Sequence, residues 1–106
     1  TSEKNALFLS FAGKVSAILG THTHVQTADE KIYKDTAFIT DVGMCGAKQS
    51  IIGAKPDEII QMFKQEIPRF HLEPAKGESQ FNSVIIEFDD KTNKPIKISR
   101  CNINNN

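Results

Sequence analysis

Tryptophan is absent from this sequence and tyrosine occurs once, so seven phenylalanines carry nearly all of its aromatic mass. The two cysteines, Cys45 and Cys101, lie far apart and in no C-x-x-C pattern. A disulfide scaffold needs denser cysteine usage, so both are expected to be reduced thiols of a cytoplasmic protein. No charge of one sign dominates: thirteen basic residues face thirteen acidic ones. That excludes broad electrostatic attraction to nucleic acid or to an anionic membrane and leaves room only for a local patch. No apolar run approaches the roughly 18 residues of a membrane span, and Thr1-Ser2-Glu3-Lys4 lacks the basic start and apolar core of a signal peptide. The sequence has no initiating methionine, and its hydrophobic content is a modest 39%. The missing methionine leads us to expect a start inside a processed, cleaved or trimmed polypeptide, and the hydrophobic content fits either a small domain or a piece of a larger one whose core is completed elsewhere.

What is present reads as α/β organisation without internal repeats or a dividing linker. Thr1 to Ala12 is expected to be a helix with Ser2 as N-cap, Glu3 in the first turn and Gly13 just past its end. Ala6 and Leu9 mark its apolar side, widened by Leu7, Phe8 and Phe11. Val15–Leu19 is short and almost wholly apolar, which suits a parallel strand covered on both faces. Lys31–Tyr33 and Thr36–Thr40 read as two strands about a Lys34-Asp35 turn. Asp41–Gly46, with two glycines, reads as a sharp loop, and Lys48–Lys55 as irregular chain anchored by Ile51 and Ile52. Pro56–Glu66 is the clearest helix, with Pro56 in the first turn and Ile59, Ile60, Met62 and Phe63 on its core face. Pro68 ends it, and Phe70–Glu73 is a further short strand candidate. Gln80–Asp89 and Pro95–Cys101 alternate as a hairpin does, and Asn104–Asn106 form a polar, frayed end.

The stretch that carries chemistry is Gly20-Thr21-His22-Thr23-His24. It follows the apolar strand directly, and in α/β sheets ligands gather at the carboxyl ends of strands. Residues two apart on extended chain point the same way, so His22 and His24 are expected to face one site. Neutral imidazole is a common metal ligand when an acceptor fixes which ring nitrogen is protonated. Gly20 is expected to let the chain turn off the strand. Taken alone, the H-x-H pattern leaves a solvated or hydrogen-bonded pair open beside metal binding.

The five residues resemble the G-H-x-H type motif of the calcineurin-like metallophosphoesterases, with one residue inserted after the glycine. The run Lys14–Asp29, the segment Thr40-Asp41-Val42-Gly43-Met44-Cys45-Gly46 and the opening Thr1–Lys4 are similar to the YmdB branch of that superfamily. The likeness extends from Thr1 through the final hairpin and covers only the C-terminal part of a family member. It implies that residues 1–106 form the C-terminal portion of a single α/β/β/α sandwich. It further implies a two-metal (iron or manganese) phosphodiesterase acting on 2′,3′-cyclic nucleotides, with metals that polarise the phosphate and activate a water. By motif position His22 is expected to bind the second metal and His24 the first. The family's other ligands are an early Asp, a Glu-Asn pair, an Asn next to the catalytic acid His, and a His in a D-x-H-A-E-like segment directly before Thr1. None of these is in the sequence. The segment alone is accordingly expected to be inactive, with the N-terminal segment of the same protein as its partner. Neither catalytic nor substrate-binding residues are assigned within it.

Other residues have plainer readings. Asp41 is read as a turn cap, with a supporting role behind a histidine as the sharper alternative. Thr21, Thr23 and Gln26 are weighed as pocket lining, Cys45 is not read as a nucleophile, and His71 is read as structural. The competing function is a non-catalytic binding or assembly module that keeps the fold without the chemistry. Homo-oligomerisation is compatible with the sequence and not specified by it.

Overall fold

The computed structural model describes residues 1–64 and 72–105. It contains, in order, α1 (Ser2–Phe11), β1 (Ala17–Leu19), β2 (Lys31–Tyr33), β3 (Thr36–Ile39), β4 (Cys45–Ala47), α2 (Pro56–Phe63), β5 (Ser79–Phe88) and β6 (Pro95–Asn105). The chain divides into two compact units, Thr1–Met44 with Asn82–Asn102, and Cys45–Phe81 with Ile103–Asn106. Helix α2 ends at Phe63 with Lys64 as its C-cap, short of the expected Glu66. Residues Glu66, Ile67, Pro68, Phe70 and His71 lie outside the described residues, so the expected stop at Pro68, the start of the short strand expected at 70–73 and the structural reading of His71 fall there.

The first unit is built on β3. Its residues Thr36, Ala37, Phe38 and Ile39 are all fully buried. It pairs in parallel with β1 (Ala17↔Ala37, Leu19↔Ile39) and antiparallel with β2 (Lys31↔Phe38, Tyr33↔Thr36), giving the order β1-β3-β2. The β2–β3 connection is the two-residue Lys34-Asp35, with φ of 49° and 62°. Two left-handed central residues define a type I′ turn, whose twist matches that of the flanking strands. β1 is shorter than Val15–Leu19 and less covered than its composition suggests. Ala17 and Ile18 are half-buried and Leu19 is exposed, because β3 is its only sheet neighbour among the described residues.

Helix α1 covers the sheet through Phe8, which stacks on Phe38 at 4.2 Å between ring centroids. The Lys31 ammonium lies over both rings, 5.3 and 5.7 Å from their centroids. Phe8 is the helix's one buried side chain, whereas Leu7 is 50%, Leu9 61% and Phe11 44% exposed. The broad apolar stripe therefore has one face in the described core and the rest outside it. Thr1, not Ser2, is the N-cap, with no side-chain cap bond. Gly13 takes φ 87° just beyond the last helical turn, as a C′ glycine does. In the same unit β5 neighbours β6. Their connection, residues 89–94, is too short for a parallel crossover, so the two form a hairpin.

In the second unit β4 pairs antiparallel with the first residues of β5, Cys45↔Phe81 to Ala47↔Ser79. This strand was not expected: a Cys-Gly-Ala triplet has no β-forming signature, and its partner alone makes it a strand. β6 also runs to Asn105, past the expected end at Cys101, so Asn104 and Asn105 are strand, not a frayed tail. Helix α2 begins at Pro56 as expected and buries Ile59, but Ile60 and Phe63 are exposed. Ile51, Ala54, Ile59, Met62 and Leu72 line an apolar hollow of about 290 Å³. Among the described residues its lining carries no charged side chain.

Candidate metal centre

The His22–His24 segment leaves the end of β1 beside the end of β3. Gly20 makes the junction. Its N–H donates to the Ile39 carbonyl at 3.0 Å, and its own carbonyl accepts from the Val42 N–H at 2.9 Å. A Cβ built on Gly20 would lie 1.9 Å from the Thr40 carbonyl oxygen. Glycine is required here for close backbone approach and not for an unusual turn, since its φ is not left-handed. The sequence-based reason for this glycine is thus replaced by a different one.

The segment is also not extended. His22 has φ 110° and His24 φ 68°. Non-glycine residues of positive φ are uncommon, though histidine is among those enriched there. Such backbone costs of order 1–3 kcal/mol per residue and persists only where surrounding contacts fix it. The alternation of an extended strand therefore does not set the directions of the two imidazoles. What the loop does instead is fix one ring against the other residue's backbone. His24 Nδ1 lies 2.7 Å from the His22 carbonyl oxygen. A carbonyl only accepts, so Nδ1 carries the proton, and in the neutral ring Nε2 is the nitrogen that keeps its lone pair. That is the state in which imidazole ligates a metal, with a backbone carbonyl in the supporting position. Both histidines are exposed and available to a ligand.

Two carboxylates hold the loop down. Asp41, fully buried at the end of β3, accepts through Oδ2 from the Thr23 N–H at 2.8 Å and the Thr23 hydroxyl at 2.7 Å. The Lys4 ammonium reaches the same oxygen at 3.3 Å and also donates to the Thr21 carbonyl. Lys4 and Phe8 are one helical turn apart, so the face of α1 that enters the core also brings its cation to the loop. Oδ1 of Asp41 accepts from the Gly43 N–H at 2.9 Å. Burial pushes the Asp41 carboxyl up, but the Gly43 and Thr23 donors and Lys4 outweigh it and hold the group below its ordinary value. Asp41 is thus the turn cap expected of it and more, reaching the histidines through Thr23 and not directly.

Asp29 anchors the far end of the loop. It accepts from the Thr27 hydroxyl at 2.6 Å, the Thr40 N–H at 3.1 Å and the Thr40 hydroxyl. Burial raises its pKa, and these bonds more than reverse the effect. Sequence reasoning missed Asp29 as an anchor; the signal was its polar position among threonines that face a strand end. Gln26, weighed as pocket lining, donates to the Val42 and Ser83 carbonyls, both at 3.1 Å, and accepts from Asn102 at 2.7 Å. Gly43, at φ 86°, packs where a Cβ would meet Gln26 and Asn82 within 3.0 Å. Gln26 and Thr23 are therefore engaged in holding the loop. Cys45 and Cys101 form no disulfide.

Two imidazoles, one with its tautomer fixed, fit part of a metal's coordination sphere. Among the described residues no group of three or more His, Cys, Asp or Glu side chains is placed to hold an ion. The donor set is right in kind and incomplete in number.

A parallel strand pair with polar chemistry at its carboxyl ends, covered by a helix, is the organisation of an α/β protein. The family model described as "YmdB-like protein" matches residues 1–101. The chain is 49% identical over 106 residues to the 2′,3′-cyclic-nucleotide 2′-phosphodiesterase of Bacillus subtilis, covering 98% of this chain and 39% of that protein. It superposes with a TM-score of 0.90 on the crystal structure of a novel phosphatase from Mycoplasma pneumoniae, at 45% identity, covering 98% of this chain and 37% of that one. A crystal structure of a hypothetical protein from Thermus thermophilus also gives 0.90, at 36% identity over 99% of this chain and 41% of that one. The chain belongs to the YmdB-like family. It spans about two fifths of the length of these relatives. No helix among the described residues is long and apolar enough to cross a membrane.

Proposed function

We propose that this chain supplies two metal ligands, His22 and His24, to a metal-dependent phosphoesterase whose substrate is a 2′,3′-cyclic nucleotide. The observation that carries this reading is the His24 Nδ1 contact with the His22 carbonyl, which leaves Nε2 free for a cation on a strained loop at a strand end. The 49% identity to a protein named for cyclic-nucleotide hydrolysis supports the substrate class. Two iron or manganese ions, when bound, would supply Lewis acidity toward the phosphate and a low-pKa water. This chain's own contribution is to present two imidazoles from a loop that Asp41 and Asp29 hold in place. The ligands still needed, and the general acid, belong to the N-terminal segment of the same protein. The exposed apolar residues Leu7, Leu9 and Phe11 of α1 and the edge of β1 that no strand pairs among the described residues are surfaces for that segment to cover. The 106 residues alone have no phosphodiesterase activity on this account.

The test compares substrates in full-length protein supplied with Mn²⁺. Hydrolysis of 2′,3′-cyclic AMP in clear preference to an aryl phosphate monoester supports the cyclic-nucleotide assignment. Preference for the monoester would replace that substrate, and no hydrolysis of either would return the protein to a binding or assembly role.

A further inference from the structure

We propose that Asp41 is a positioning residue for the two histidines, acting through Thr23. The inference rests on His22 and His24 being metal ligands. Thr23 is the residue between them, and both of its donors, the N–H at 2.8 Å and the hydroxyl at 2.7 Å, converge on one buried carboxylate oxygen. The residues on either side have φ of 110° and 68°. A loop that is left-handed on both sides of a single residue holds its shape only if that residue is pinned. Asp41 is the pin, and Lys4 is the brace behind it, bonded to the same oxygen and to the Thr21 carbonyl.

The consequence falls on His24. Its Nδ1 bond to the His22 carbonyl exists only while the chain between them keeps this bend. Release Thr23, and the carbonyl swings away, the ring loses its fixed tautomer, and Nε2 is no longer held as a ready acceptor. Asp41 also has an independent hold on its own position, because its second oxygen accepts from the Gly43 N–H at 2.9 Å. The carboxylate therefore bridges two loops, and each oxygen has its own task. The role differs from a direct bond between carboxylate and ligating imidazole: the aspartate shapes the backbone that in turn orients the ring.

The experiment uses full-length protein with Thr23→Val, Thr23→Ser, Asp41→Ala and His24→Ala. Thr23→Val removes the hydroxyl at nearly constant volume, and Thr23→Ser restores it. The first readout needs no metal: imidazole ¹⁵N spectra of the metal-free protein at about pH 8.5, where imidazole is neutral. Wild type and Thr23→Ser show His24 protonated at Nδ1, whereas Thr23→Val and Asp41→Ala show a mixture of tautomers. The second readout is the Mn²⁺ dissociation constant, expected to weaken about 10–100-fold in Thr23→Val and Asp41→Ala and to recover in Thr23→Ser. Should Asp41→Ala fail to fold, the valine and serine pair at residue 23 decides. An unchanged His24 tautomer and unchanged Mn²⁺ affinity in Thr23→Val overturn the proposal. A tautomer that shifts as expected, in a protein whose Mn²⁺ affinity His24→Ala does not alter, keeps the positioning role and removes the metal assignment instead.

Discussion

Gly20→Ala is the substitution with the sharpest expected effect. The new methyl would sit 1.9 Å from the Thr40 carbonyl oxygen and 2.8 Å from its carbon. Both are backbone atoms of a buried residue, so no rotamer change relieves the clash. The ends of β1 and β3 must part. Overpacking of this kind costs about 1–3 kcal/mol. Separation also strains or breaks the Gly20 N–H to Ile39 carbonyl bond and the Val42 N–H to Gly20 carbonyl bond. At a net value of about 1 kcal/mol each, the whole comes to about 3–5 kcal/mol. Urea unfolding of the full-length variant measures it, with Gly77→Ala as the control. Gly77 has φ 112° but nothing within 4 Å of an added Cβ, so alanine there meets backbone strain without the collision. A loss near 1–2 kcal/mol is expected there. If Gly20→Ala lost no more stability than Gly77→Ala, the close approach of β1 to β3 would not be what makes this glycine necessary.

Three further outcomes follow from the same contacts. Phe8→Ala should lose about 3–5 kcal/mol in urea unfolding, since the ring is fully buried and stacked on Phe38, while Phe8→Leu should lose far less. Asp29→Asn should be less stable than wild type at pH 7, by about 1.5–3 kcal/mol for bonds to a charged group. Because the folded pKa of Asp29 lies below its ordinary 3.8, this stabilisation is present above that value and is lost as pH falls through the folded one, so the gap between the urea midpoints of the two proteins should narrow as pH is lowered below 3.8. Lys4→Met should lower Mn²⁺ affinity less than Thr23→Val does, because the two Thr23 bonds to Asp41, at 2.8 and 2.7 Å, do not involve the lysine.

The sequence made the first unit's plan legible. The β2–β3 hairpin could be read from Lys34-Asp35 between two short β-rich runs, and Pro56 marked the start of α2. These are local signals, carried by residues adjacent in the chain. β4 had none, because Cys45-Gly46-Ala47 becomes a strand only through its pairing with Ser79–Phe81. The H-x-H pair was legible as candidate ligands, but its geometry was not. Nothing in the residue types reveals positive φ at His22 and His24, and alternation on an extended chain gave the wrong picture of the loop. Asp41 was readable as a turn cap from Gly43 two residues on. Its hold on Thr23, eighteen residues away, required the fold. Exposure of Leu7, Leu9, Phe11 and Ile60 likewise departed from the periodicity, which marks faces as apolar without saying what covers them.

The central claim is that His22 and His24 are metal ligands of a phosphoesterase. Metal content per polypeptide, measured on full-length wild type, His22→Ala and His24→Ala after equilibration with Mn²⁺, tests it most directly. The account predicts two ions in the wild type, fewer in each variant, and loss of 2′,3′-cyclic AMP hydrolysis alongside the lost metal. Full occupancy and undiminished hydrolysis in His24→Ala would contradict it.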